Sequence, residues 1–90
     1  MKAWHLYLVR CGDDTLYTGI ATDVERRFAM HVDGKGAKYL RGRGPLELAF
    51  QTPVGTRSEA LKLELRVKAL SREQKMEVIA RAFTIDELVG

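Results

Sequence analysis

The sequence predicts an α+β fold, a small three-stranded, largely antiparallel sheet flanked by helices in the order β-β-α-β-α-α. Two observations carry this. Short segments are aromatic and aliphatic, or alternate apolar and polar residues, and are bounded by Gly, Asp and Pro, as strands are. Three segments open on Thr or Ser with Glu or Gln three positions on, the signature of a capped helix start.

Trp4 to Arg10 suits the first strand, Gly12-Asp13-Asp14 the turn, and Leu16 to Ile20 the second strand of a hairpin. Thr22 with Glu25 forms the first capping box, so a helix runs from Asp23 to His31 and stops at Asp33-Gly34-Lys35-Gly36. A loop rich in glycine and cations follows and ends at Pro45. Leu46 to Gln51 alternates as a third strand, which Pro53 and Gly55 end. Thr56 with Glu59 opens a helix to Leu70, and Ser71 with Gln74 opens another to Ala82. Thr84-Ile85-Asp86-Glu87 caps a last short turn. With no internal repeat, low-complexity segment or linker, residues 1–90 read as one domain with its motif core at 4–80.

The formal net charge of +3 permits an anionic partner without proving one. Cys11 is the only cysteine, so an intrachain disulfide is impossible and a reducing compartment is expected. No apolar stretch approaches the ~18 residues of a membrane span. The expected location is cytoplasmic.

Polar residues fall where apolar ones belong. In the first helix Val24, Arg27, Phe28 and His31 share a face, whereas Arg26 points nearly the opposite way. Arg27 either packs its stem and sends its head to water, or aims its guanidinium into a cleft where it can hold a phosphate. His31 is either structural at the helix end or functional. In the second helix Glu64 shares a face with Ala60, Leu63 and Val67. It pairs with Lys68 one turn on, or serves as a metal ligand at the floor of a cleft. Tyr7 and Tyr17 have the same parity, which puts both on one face of a symmetric hairpin beside Gly19. Gly19 leaves room for a ligand or another backbone.

At these residues the chain resembles the GIY-YIG nuclease superfamily. It looks most like small stand-alone members related to the nuclease domains of nucleotide-excision-repair proteins and to structure-specific nucleases. The carrying pieces are Leu6-Tyr7-Leu8, Tyr17-Thr18-Gly19, the run Thr22 to Phe28 with His31, Gly36-Ala37-Lys38-Tyr39, Arg41 to Pro45, and Ser58-Glu59-Ala60 leading to Glu64. They span Trp4 to Ile79. The first tripeptide lacks the motif's glycine and isoleucine, and Thr18 stands where isoleucine is usual.

The resemblance implies a DNA endonuclease that hydrolyses phosphodiesters with Mg²⁺ or Mn²⁺ in DNA repair or processing. It implies roles for Tyr7 and Tyr17 as motif tyrosines, Gly19 as motif glycine, Arg27 as catalytic arginine, Glu64 as metal-binding glutamate and His31 as a supporting or catalytic group. The alternative is a catalytically silent nucleic-acid-binding module of the same fold. In the nuclease, Arg27 clamps the scissile phosphate and Tyr7 or Tyr17 receives the water's proton, with His31 or a metal-bound hydroxide as the other possible base. A cation and Arg27 would lower the tyrosine pKa from about 10. Lys35, Lys38, Arg41 and Arg43 are expected to hold the backbone outside the site, with Tyr39 free to stack on a base. The metal is expected to be held weakly without substrate, because one carboxylate is a poor cage.

Overall fold

The structure, a computed structural model, describes residues 2–81. The elements are β1 (Trp4–Arg10), β2 (Leu16–Ala21), α1 (Val24–Val32), a 3₁₀ turn (Lys38–Leu40), β3 (Glu47–Gly55), α2 (Arg57–Lys68) and α3 (Arg72–Arg81). The sheet order is β2-β1-β3, and both pairings are antiparallel. The order of elements and the mixed α+β class are as the sequence predicts.

The central strand explains the layers. Leu6, Tyr7, Leu8 and Val9 are all buried, a continuous apolar run expected of a strand covered on both faces. Leu6 and Leu8 join Phe50 under Leu63 and Val67 of α2 and Val78 of α3. Tyr7 and Val9, of the other parity, join Cys11, Ala21, Val24 of α1 and Leu40 of the 3₁₀ turn. Helices therefore cover both sides, and β2 is one open edge.

Three sequence expectations need correcting. The third strand does not end before Pro53; it runs to Gly55, with Pro53 opposite His5. β3 is an edge strand, where a residue without an N–H can sit without breaking a ladder. Two register shifts, between Trp4 and His5 and between Leu8 and Val9, bend the pairing. The cap of α1 is Asp23 and not Thr22: the Asp23 carboxylate accepts from the Arg26 N–H at 3.1 Å. The cation-rich loop is also not wholly irregular, since Lys38–Leu40 forms a 3₁₀ turn that buries Leu40. Ala82 and the turn at Thr84 to Glu87 lie outside the described residues.

The second and third caps form as predicted. The Thr56 hydroxyl accepts from the Glu59 N–H while the Glu59 carboxylate accepts from the Thr56 N–H. Ser71 and Gln74 make the same reciprocal pair. Thr56→Ala should lower stability by about 1 kcal/mol in chemical denaturation, with an unchanged denaturant slope.

Candidate active site

The hairpin register places the two motif tyrosines. Tyr7 lies opposite Gly19, and Val9 lies opposite Tyr17, so Tyr7, Val9, Tyr17 and Gly19 share the α1 side of the sheet. The Tyr7 and Tyr17 rings are 6.4 Å apart. His31, on the last turn of α1, stands 6.0 Å from the Tyr7 ring and 5.5 Å from the Tyr17 ring. A Cβ at position 19 would lie 2.5 Å from the Tyr7 hydroxyl oxygen. The sequence reading of Gly19 is room for a ligand or another backbone; the space beside it holds the end of the Tyr7 phenol.

His31 is only 3% exposed and both ring nitrogens are engaged. The Ala37 N–H points at Nδ1 from 3.2 Å. A backbone N–H can only donate, so Nδ1 is the acceptor and the ring proton sits on Nε2. Nε2–H therefore donates to the Tyr7 hydroxyl, 2.8 Å away. Burial and, secondarily, the charge of Arg27 push the His31 pKa down, which agrees with a neutral imidazole. With both nitrogens spent, His31 in this arrangement positions Tyr7 and has no free lone pair with which to act as a base.

Gly36 makes that arrangement possible. A Cβ there would sit 2.0 Å from His31 Nδ1. The sequence marked Gly36 as a helix stop; its steric duty toward a residue five positions back carried no local signal. Gly36→Ala must displace a buried ring, so we expect a loss of about 1–3 kcal/mol by thermal or chemical denaturation.

Arg27 is half-buried while Arg26 is exposed, as the periodicity of α1 predicts. The Arg27 guanidinium lies near enough to the Tyr7 hydroxyl to favour its phenolate, and Glu64 near enough to act on it by charge. The charges of a guanidinium from α1 and a carboxylate from α2, and the second phenol of the hairpin, thus bear on the Tyr7 oxygen. The Tyr7 pKa is pushed up to about 12. Burial is the largest cause and Tyr17 the next; Arg27 pulls the other way and Glu64 adds a little upward. The lowering expected beside Arg27 is therefore outweighed by burial among the protein's own groups.

Glu64 also meets Lys68 at 3.6 Å, with its side chain 16% exposed. The pairing read as one alternative from the sequence is thus present, but it is long and engages one carboxylate oxygen. Among the described residues no group of three or more His, Cys, Asp or Glu side chains could hold a metal ion. The donor set fits a hydrated hard cation that takes most of its ligands from water and phosphate, and does not fit an all-protein cage.

The cation-rich loop divides. The Tyr39 ring lies 5.9 Å from Tyr17 and is 43% exposed, next to the cluster. Lys35, Lys38 and Arg41 are exposed. Arg43 is committed elsewhere: Nη1 bonds Asp13 at 2.5 Å, Nε donates to the Tyr39 carbonyl, and Cζ lies 4.3 Å from the centre of the Tyr39 ring. Arg43 thereby ties the loop to the hairpin turn and supports Tyr39.

Residues 3–77 match the GIY-YIG catalytic domain family. The chain belongs to the GIY-YIG family. It is 59% identical over 80 residues to a UPF0213 protein of Cronobacter sakazakii, covering 89% of this chain and 84% of that one. It is 55% identical over 90 residues to the UPF0213 protein YhbQ of Escherichia coli O8, covering all of this chain and 90% of that one. Two solution NMR structures resemble it. The UPF0213 protein of Bacillus halodurans is 43% identical with a TM-score of 0.55, over 86% of this chain and 82% of that one. An E. faecalis protein is 36% identical with a TM-score of 0.62, over 90% and 86%. In this GIY-YIG chain it is the sheet register that brings Tyr7, Tyr17 and Gly19 together. No helix among the described residues is long and apolar enough to cross a membrane.

Proposed function

We propose that this chain is an endonuclease that hydrolyses phosphodiester bonds in DNA with a divalent cation. The observation that carries the reading is the packed cluster of Tyr7, Tyr17 and His31, whose Tyr7 hydroxyl feels the charges of Arg27 and Glu64. A domain of 90 residues gains little from holding an arginine, a glutamate and a histidine around two tyrosines unless they do chemistry.

Arg27 holds the scissile phosphate through its planar donors and stabilises the charge that grows on it. The water oxygen bonds to phosphorus, the bond to the leaving oxygen breaks, and the water's proton passes to the Tyr7 oxygen. For that transfer Tyr7 acts as the phenolate, held in place by the Nε2–H of His31 and by Arg27. Glu64 would hold Mg²⁺ or Mn²⁺; when bound, the cation supplies positive charge to the leaving oxygen and favours the phenolate. Tyr17 packs beside Tyr7 and His31 and walls the site. Lys35, Lys38 and Arg41 contact phosphates outside it, and Tyr39 offers its exposed ring to a base.

The test is cleavage of labelled duplex, single-stranded, flap and branched DNA, and of RNA, with Mg²⁺ or Mn²⁺, by wild type, Arg27→Ala and Glu64→Ala. Cutting by wild type that both variants lose supports the nuclease. Binding by all three without cutting supports a silent binding module. Equal cutting by all three rejects the site.

A further inference from the structure

Beyond the Tyr7 hydroxyl, Arg27 also borders a cleft of about 480 Å³ at the open end of the hairpin. Its walls carry Lys2, Trp4, Arg26, Arg27 and Arg57, with Asp23 as the only acid among the described residues that line it. Asp23 already caps α1 through the Arg26 N–H. The four cations make no ion pair among the described residues. Ile20, Met30 and Leu61 supply apolar lining. Trp4 is half-buried, and the Arg57 Cζ lies 5.8 Å from its ring centre.

We propose that this cleft is a nucleotide subsite for the strand held at Arg27. It takes one unpaired nucleotide with its base on the Trp4 face and its flanking phosphates on Arg26, Arg57 and Lys2. Excess positive charge selects a polyanion, and an indole with apolar lining selects one that carries flat rings. The size lies within the range of small-ligand sites. Continuity through Arg27 gives the occupant its direction, from the reacting phosphate toward the N-terminus of α2. An unpaired base is required because a base inside a duplex has no free face to offer Trp4. The path of the strand rests on the nuclease reading; the subsite itself does not.

Trp4 is the only tryptophan in the chain, so its emission reports this cleft alone. The protein is titrated with a short oligothymidylate in the absence of divalent cations, following tryptophan fluorescence and, separately, the anisotropy of a labelled oligonucleotide. Saturable quenching is expected, with binding weakened about tenfold in Trp4→Ala. Arg26→Gln and Arg57→Gln, on exposed side chains, should each lower the salt slope of binding by about one. If Trp4→Ala fails to fold, these two variants and the quenching carry the test.

Binding without quenching, and with unchanged affinity in Trp4→Ala, overturns the subsite even if wild type still cuts and Arg27→Ala does not. Equal quenching by polyphosphate, which has no bases, also overturns it. Quenching by oligothymidylate with no cutting under any condition keeps the subsite and removes the nuclease. Absence of all binding removes both.

Discussion

Arg27→Ala should lower single-turnover cleavage by about 10³–10⁵-fold while leaving binding nearly intact, measured without divalent cations. The size follows from two losses at once. The guanidinium that would stabilise charge on the phosphate is gone, and so is the neighbouring group that opposes the raised pKa of Tyr7. The phenolate becomes still less accessible. Arg27→Lys should recover only a part, because an ammonium restores the charge but not the planar fork. Turnover close to wild type in Arg27→Ala would place the chemistry elsewhere.

Tyr7→Phe should lower cleavage by about 10²–10⁴-fold, the usual worth of a positioned acid or base. It should also remove a pH dependence. If proton transfer needs the phenolate, the wild-type rate climbs with pH until Tyr7 has titrated, and the phenylalanine variant lacks that climb. Stability gives an independent reading with a definite sign. Tyr7 titrates near 10 in an unfolded chain and at about 12 in the fold. Its neutral form is therefore favoured by folding. That contribution is fully present below pH 10 and is lost as the pH rises through 12. Denaturation curves across this window should show the decline in wild type and a shallower one in Tyr7→Phe. The variant should also start less stable, since the His31 Nε2–H and Arg27 lose a buried acceptor. An unchanged rate and pH profile in Tyr7→Phe would remove Tyr7 from the reaction.

The candidate site was legible in unequal parts. Periodicity alone preferred Arg27 to Arg26, and parity alone joined Tyr7 to Tyr17, because each depends only on repeats of a single element. The roles of Gly19 and Gly36 were not legible. Both glycines clear space for side chains that arrive from other segments, Tyr7 from the partner strand and His31 from the preceding helix. The tautomer of His31 depends on one N–H of Ala37, which no spacing rule reaches. Arg43 looked like its neighbours in the loop, yet Asp13, thirty residues earlier, claims it.

Local chemistry, then, already contained the α+β class, the order of elements, the capping boxes of α2 and α3, and the inward faces of α1 and α2. Such features follow from interactions within a few residues. Folding in three dimensions settled which strand is central, how far β3 extends past Pro53, and which charges meet at the Tyr7 oxygen. It also settled the direction of that tyrosine's pKa, where burial outweighs the arginine beside it. Desolvation depends on everything packed around a group, and no stretch of sequence specifies that alone.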